Sequence, residues 1–258
     1  MDLKKLENKI NIITNKLRIG KFDEVIQDAK LLIKKFSDQQ ILYNILSLAY
    51  QQKGENDKSI DLLTNALKKN PKNIFFLNNM GVSYYNKKNL VEAEYYFKRV
   101  LEINPNYINA LNNLGNLKKD LDLVDEAKNF YKKSIKLNDN VMETHFNLGV
   151  LYEQSGNFEK SLYHYKKTLE INPKFTKADH SIAMMTEYSS KNKHFLDMQK
   201  KLTDENLDDF EKLELYFALG KAYNDLEDYK NSFFHIDHAN SLKKKITKYN
   251  IKNDVKLF

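Results

Sequence analysis

The sequence predicts an all-α protein built as a stack of helical hairpins. Three observations carry this: turn-forming residues are scarce, they recur at one fixed spacing, and small and bulky side chains recur with them. Gly and Pro number only 7 and 3 in 258 residues, and a mostly β chain of this length needs many more. Hydrophobic residues make up 41% and charged residues 30%, a composition that folds rather than stays disordered.

The spacing is a count. Pro71, Pro105 and Pro173 lie 34 and then 68 residues apart, and Gly81, Gly115 and Gly149 are again 34 apart. Gly20 and Gly54 differ by 34, and Gly54 and Gly156 by three times that. With proline set at position 32, units begin at Gln40, Ile74, Ile108, Met142 and Thr176. Position 8 is then always small (Ser47, Gly81, Gly115, Gly149, Ala183), and position 7 always large and apolar (Leu46, Met80, Leu114, Leu148, Ile182). Position 20 reads Ser59, Ala93, Ala127, Ser161, and position 24 reads Leu63, Phe97, Tyr131, Tyr165. Position 11 reads Tyr50, Tyr84, Lys118, Tyr152.

These residues and this period resemble the tetratricopeptide repeat family across nearly the whole chain. The resemblance implies a right-handed α-α superhelix, a solenoid of about seven hairpins. The pattern also makes physical sense. Positions 4, 7, 8 and 11 advance by about 100° per residue into one stripe of a first helix. Small residues at 8 and 20 let two helices approach, and bulky ones fill the space between neighbouring hairpins. Leucine at Ala93 or Gly115 is expected to overpack that contact by roughly 1–3 kcal/mol. Because the residue before proline avoids the α region, Asn70, Asn104 and Asn172 mark the ends of second helices.

The expected organisation runs as a degenerate capping repeat over 1–39, four regular units over 40–175, and a divergent repeat with an insertion over 176–212. A last unit over 213–246 and a basic tail or linker over 247–258 complete it. Leu219, Gly220, Tyr223, Ser232 and Ala239 are in register in the last unit.

Several function classes fall away. Cysteine is absent, which removes disulfides, thiolate metal sites and a Cys nucleophile. Every glycine is taken by the repeat, at position 8 or at position 15 in the turn, so none remains for a phosphate-cradling loop or a nucleophile elbow. We therefore expect no enzyme and no cofactor. His235 and His238, three apart on one helix, have the spacing of a metal pair but no third ligand nearby, and no metal is expected. No secretory leader or membrane-length apolar run is present, which makes a cytoplasmic location the expectation.

The net charge of +7 is unevenly placed. Residues 241–258 hold six lysines against Asp254, a net of +5, which leaves +2 for everything before them. A basic tail on a near-neutral body does not describe a nucleic-acid binder.

Binding is expected opposite the packed stripe, at positions 2, 6, 9 and 13 of each first helix. The family resemblance makes this the concave face. Position 6 gives Ile45, Asn79, Asn113 and Asn147; position 9 gives Leu48, Val82, Asn116 and Val150. Position 2 gives Ile41, Phe75, Asn109 and Glu143, and position 13 gives Gln52, Asn86, Asp120 and Gln154. No Lys or Arg stands at these positions in the four regular units, so phosphate is not the target. Asn79, Asn113 and Asn147 form a ladder one hairpin apart, and a carboxamide both donates and accepts, which suits the backbone of an extended peptide. A similar ladder is found in the repeats of O-linked N-acetylglucosamine transferases. The candidate peptide-binding residues are Asn79, Asn113, Asn147, Asn116, Asn109, Asn86, Ile45 and Val82, and the expected partner is a protein or peptide. Incidental solvated asparagines are the alternative; the oligomeric state is left open.

Finally, Leu215–Lys245 is similar to the last repeat of bacterial proteins in which such repeats precede a sulfotransferase domain. That resemblance implies an alternative, a non-catalytic repeat region that recruits a substrate for an enzyme whose catalytic domain is absent from this chain.

Overall fold

Proline and asparagine end the second helices, and a left-handed residue opens the turn before each. In the computed structural model, which describes residues 3–247, Asn70, Asn104 and Asn172 are the C-caps of three second helices, each directly before its proline. The basic tail, with Tyr249, Ile251, Leu257 and Phe258, lies outside the described residues apart from Thr247.

The described residues form fourteen helices and divide into two compact units at Leu137 and Asn138. The first unit holds α1 (Leu3–Arg18), α2 (Phe22–Lys35), α3 (Gln40–Gln52), α4 (Asn56–Lys69), α5 (Ile74–Asn86), α6 (Leu90–Ile103), α7 (Ile108–Asp120) and α8 (Val124–Leu137). The second holds α9 (Met142–Gln154), α10 (Phe158–Ile171), α11 (Thr176–Met184), α12 (Lys193–Leu202), α13 (Asp209–Asp225) and α14 (Tyr229–Thr247). Paired in chain order they make seven hairpins, an all-α architecture as the period predicts.

The glycines of position 8 show how closely the helices of one hairpin approach. A Cβ built on Gly115 meets the Tyr131 ring at 2.4 Å, one on Gly81 meets Phe97 at 2.5 Å, and one on Gly149 meets Tyr165 at 2.5 Å. The position-24 ring therefore lies on the backbone of its own hairpin's first helix, rather than only in the gap between hairpins. At two of the three position-20 serines the hydroxyl serves the same contact: Ser161 donates to the Gly149 carbonyl at 2.8 Å, and Ser232 to that of Gly220 at 2.8 Å. The buried hydroxyl so keeps a partner.

At position 15 the chain needs a positive φ. Gly20, Gly54 and Gly156 supply it at 78°, 74° and 69°, but Lys88, Asp122 and Glu227 are held at 62°, 58° and 57°. A side chain in the left-handed region costs about 1–2 kcal/mol, somewhat less for Asp. Replacing Lys88 by Gly is therefore expected to raise stability by about 1 kcal/mol in urea unfolding, after the entropy that glycine brings to the unfolded chain is offset. Gly54→Ala, the reverse change in the neighbouring hairpin, is expected to lose about as much.

Each unit has its own core. In the first, Leu6 and Ile13 of α1 pack with Val25, Ala29 and Leu32 of α2 and with Leu42, Ile45 and Leu46 of α3. Further along, Ala93, Phe97, Leu114 and Leu117 form one cluster and Leu77, Val100 and Ala110 another. Lys118 stands where other hairpins have tyrosine and is nonetheless buried. Burial opposes its charge, but Glu94 at 2.9 Å and Glu126 at 3.1 Å outweigh that and hold the amine above its usual range. The second unit centres on Ala183, Tyr188, Phe195, Met198, Leu215, Ala218 and Leu219.

Candidate functional site: an amide-lined helix face

The first helices α3, α5 and α7 carry the predicted face within the first unit. Asn79 and Asn113 are half-buried on it, Val82 and Asn116 likewise, and Asn109 and Asn86 are exposed. Ile41 and Phe75 add exposed apolar surface at position 2, and Leu48 at position 9. Asn147 is half-buried on α9 and belongs to the second unit. Ile45 does not take part. At 5% exposure it sits in the core with Leu6 and Ile13, because α1 covers that part of α3. As an isoleucine in the asparagine column it behaves as core, and we remove it from the set.

The asparagines are joined in a repeating way that column 6 alone does not reveal. Asn113 Nδ2 donates to Asn78 Oδ1 at 3.0 Å, one hairpin back. One hairpin earlier, Asn79 Nδ2 lies 3.5 Å from Asn44 Oδ1 and donates to Ser47 Oγ at 3.2 Å. So Asn113 donates backwards to the position-5 asparagine of the preceding hairpin, and Asn79 points the same way at a longer distance. Beneath them, Gln51 Nε2 donates to the Asn79 carbonyl at 2.8 Å and to Ser83 Oγ at 2.9 Å, and Ser83 in turn reaches Ser59 at 2.9 Å. This network fixes the rotamers of the two ladder residues. It anchors both NH2 groups on the protein, that of Asn113 through one of its two N–H bonds, and leaves the side-chain oxygens as acceptors.

The other candidates have different duties. Asn116 Oδ1 accepts from the buried Tyr131 hydroxyl at 2.6 Å, and Asn86 Nδ2 donates to Asn56 at 3.3 Å. Tyr85, on the same helix as Asn79, donates to Asp120 on the next first helix. Burial and that carboxylate push its hydroxyl well above the usual tyrosine range, so it remains a donor at any ordinary pH.

A second polar cluster, in the divergent repeat, was not legible from the period. Asp179 on α11 is fully buried and accepts from Lys201 Nζ at 2.6 Å and from His194 Nε2 at 3.0 Å. His194 Nδ1 meets the Tyr188 hydroxyl at 2.7 Å. With the carboxylate on its Nε2–H, a neutral His194 accepts the tyrosine proton at Nδ1. The Tyr188 amide donates to Asp225 at 3.0 Å, and Lys221 bridges Asp225 and the Thr186 carbonyl. Asp179 and Tyr188 are buried, and the cluster is a polar core that ties residues 186–194 to α13. His235 and His238 each direct Nδ1 to the carbonyl four residues back at 2.8 Å. Among the described residues no three His, Asp or Glu side chains gather as a metal site would require.

Stacked two-helix hairpins that present a row of first-helix side chains define an α-hairpin repeat scaffold. The tetratricopeptide repeat family matches five stretches, 41–73, 74–107, 108–141, 143–175 and 213–246, together more than half of the chain. The chain belongs to the tetratricopeptide repeat family. The match over 213–246 is to the repeat itself and supplies no link to sulfotransferases.

Solved structures share the fold. A tetratricopeptide repeat protein of Parabacteroides merdae is 19% identical, with a TM-score of 0.58 over 94% of this chain and 95% of its own. A thermophilic one of Thermus thermophilus is 18% identical, with a TM-score of 0.61 over 69% and 97%. YrrB, described as having an unusual peptide-binding site, is 15% identical, with a TM-score of 0.55 over 70% and 91%. No curated protein matches the chain. No helix among the described residues is long and apolar enough to cross a membrane.

Proposed function

We propose that the chain is a protein-interaction scaffold that holds an extended polypeptide segment on the α3–α5–α7 face. The observation that carries this is the pair Asn79 and Asn113, each anchored through its NH2 group on the preceding hairpin while its oxygen stays available. Acceptors repeated once per hairpin suit backbone N–H groups, which every peptide offers irrespective of sequence. Ile41, Leu48 and Phe75 give apolar contacts that add selectivity for bulky side chains on the ligand. The lack of Lys and Arg at positions 2, 6, 9 and 13 disfavours phosphate-bearing partners.

The test uses peptides selected on the wild-type chain from a random display library. Asn79→Ala with Asn113→Ala is expected to weaken such a peptide about tenfold, the loss of two hydrogen bonds each worth ~0.5–1.5 kcal/mol net. Ser47 and Asn78 are buried and lose a partner, so some stability is lost as well, and affinity is compared well below both melting temperatures, where each variant is fully folded. Unchanged affinity overturns the assignment, and equal loss of stability and affinity makes the asparagines structural.

A further inference from the structure

The last hairpin is built to receive a helix that the described residues do not supply. Ile236 on α14 occupies position 24, where Leu63, Phe97 and Tyr165 are at most 1% exposed, each followed by another hairpin in its own unit. Ile236 is 39% exposed, and Phe233, one turn earlier, is 73% exposed. Tyr229, Phe233, Ile236, Asn240 and Lys244 advance into one stripe beside the buried stripe of Ser232, His235 and Ala239. Asn240 stands where Leu67, Leu101 and Leu169 stand in other hairpins. The open strip is thus apolar only over its first two turns, which suits one crossing helix better than a further full repeat.

The charges beside this strip select its occupant. Glu227 and Asp228 precede α14, and Lys243 and Lys244 lie near its end. Two copies of α14 paired antiparallel about Phe233 and Ile236 bring the acidic start of each helix against the basic end of the other. Such a contact is self-complementary and closes, as a two-fold interface must. We propose that the strip Tyr229–Phe233–Ile236 is a homodimer interface, with α14 packed on α14 of a second copy.

The experiment is sedimentation equilibrium on the full 258-residue chain, up to about 1 mM so that weak pairing registers. A reversible monomer–dimer equilibrium is expected. Phe233→Glu should weaken it at least about tenfold, because it buries a charge at the centre of the pair. Glu227→Lys should also weaken it, and adding Lys243→Glu to that chain should restore it, since one pair is then swapped in sign while Asp228 and Lys244 are left as they were. The reversal also decides the matter should Phe233→Glu fail to fold. A monomer throughout overturns the proposal, whether the strip is then open or covered by residues 248–258. So does a dimer indifferent to Phe233→Glu, or charge reversals that fail to restore it.

Discussion

Asp179→Ala is expected to lower the stability of the protein by about 3–5 kcal/mol, the cost of removing one member of a buried ion pair. The carboxylate is fully buried and is the shared acceptor of Lys201 and His194. Without it, an ammonium group and an imidazole N–H that are only 20% and 19% exposed lose their shared protein acceptor, and His194 loses the partner that fixes its tautomer toward Tyr188. Against a total stability of ~5–15 kcal/mol this is a large fraction. The loss should also be local at first. Repeat arrays gain stability from neighbours, so amide exchange should accelerate through α11 and α12 well before α5 and α6. Asp179→Leu with Lys201→Met is expected to recover part of the loss, because an apolar pair of similar volume avoids the stranded charge. If Asp179→Ala unfolds in urea like the wild type, the cluster is not the core described here.

Gly115→Ala is the second large effect, expected at about 2–3 kcal/mol even though it adds one methyl group. That methyl would stand 2.4 Å from the Tyr131 ring. The ring cannot swing aside, for it is fully buried and its hydroxyl is tied to Asn116. Gly220→Ala is the internal control. Its new methyl meets Ile236 Cγ1 at 2.6 Å, on a side chain that is 39% exposed and can turn about Cα–Cβ where the buried ring cannot, and the cost should be smaller than at Gly115. Equal losses at Gly115 and Gly220 would show that the ring contact does not set the cost. Glycine to alanine by propensity alone would in fact stabilise a helix.

How far the sequence announces these features depends on whether the repeat itself needs them. The period of Pro71, Pro105 and Pro173 gave the hairpins and their ends, since proline acts on its own backbone and on the residue before it. The glycines of position 8 were legible as close approaches, but the partner that makes them obligatory, the ring sixteen residues later, needed coordinates. Positions 88, 122 and 227 were predicted as turns only through their glycine counterparts at 20, 54 and 156. Lys, Asp and Glu do not advertise a positive φ. The same limit explains Lys118, whose burial depends on Glu94 and Glu126 from two other helices.

The candidate site shows a subtler limit. Column 6 was visible as a ladder, yet its geometry depends on column 5, where Asn44, Asn78 and Asn112 stand in register and were open to the same inspection. Ile45 was placed on the face by arithmetic and lies in the core because α1, outside the regular pattern, covers it. The Asp179 cluster carries no periodic signal at all. It occupies a hairpin that departs from the repeat, with α11 and α12 shortened to 9 and 10 residues, and polar bonds there replace the glycine–ring contact.

The claim that the amide-lined face holds peptide backbone is tested most directly at the side-chain amides themselves. In nitrogen-15 spectra of the full chain, a peptide selected on the wild type should shift the NH2 resonances of Asn79 and Asn113 together, saturating at one stoichiometry. Those groups keep their bonds to Ser47 and Asn78 while their oxygens gain new donors, so they should sharpen and not exchange faster with water. Peptide binding that leaves both pairs of resonances in place, and moves others instead, would contradict the account.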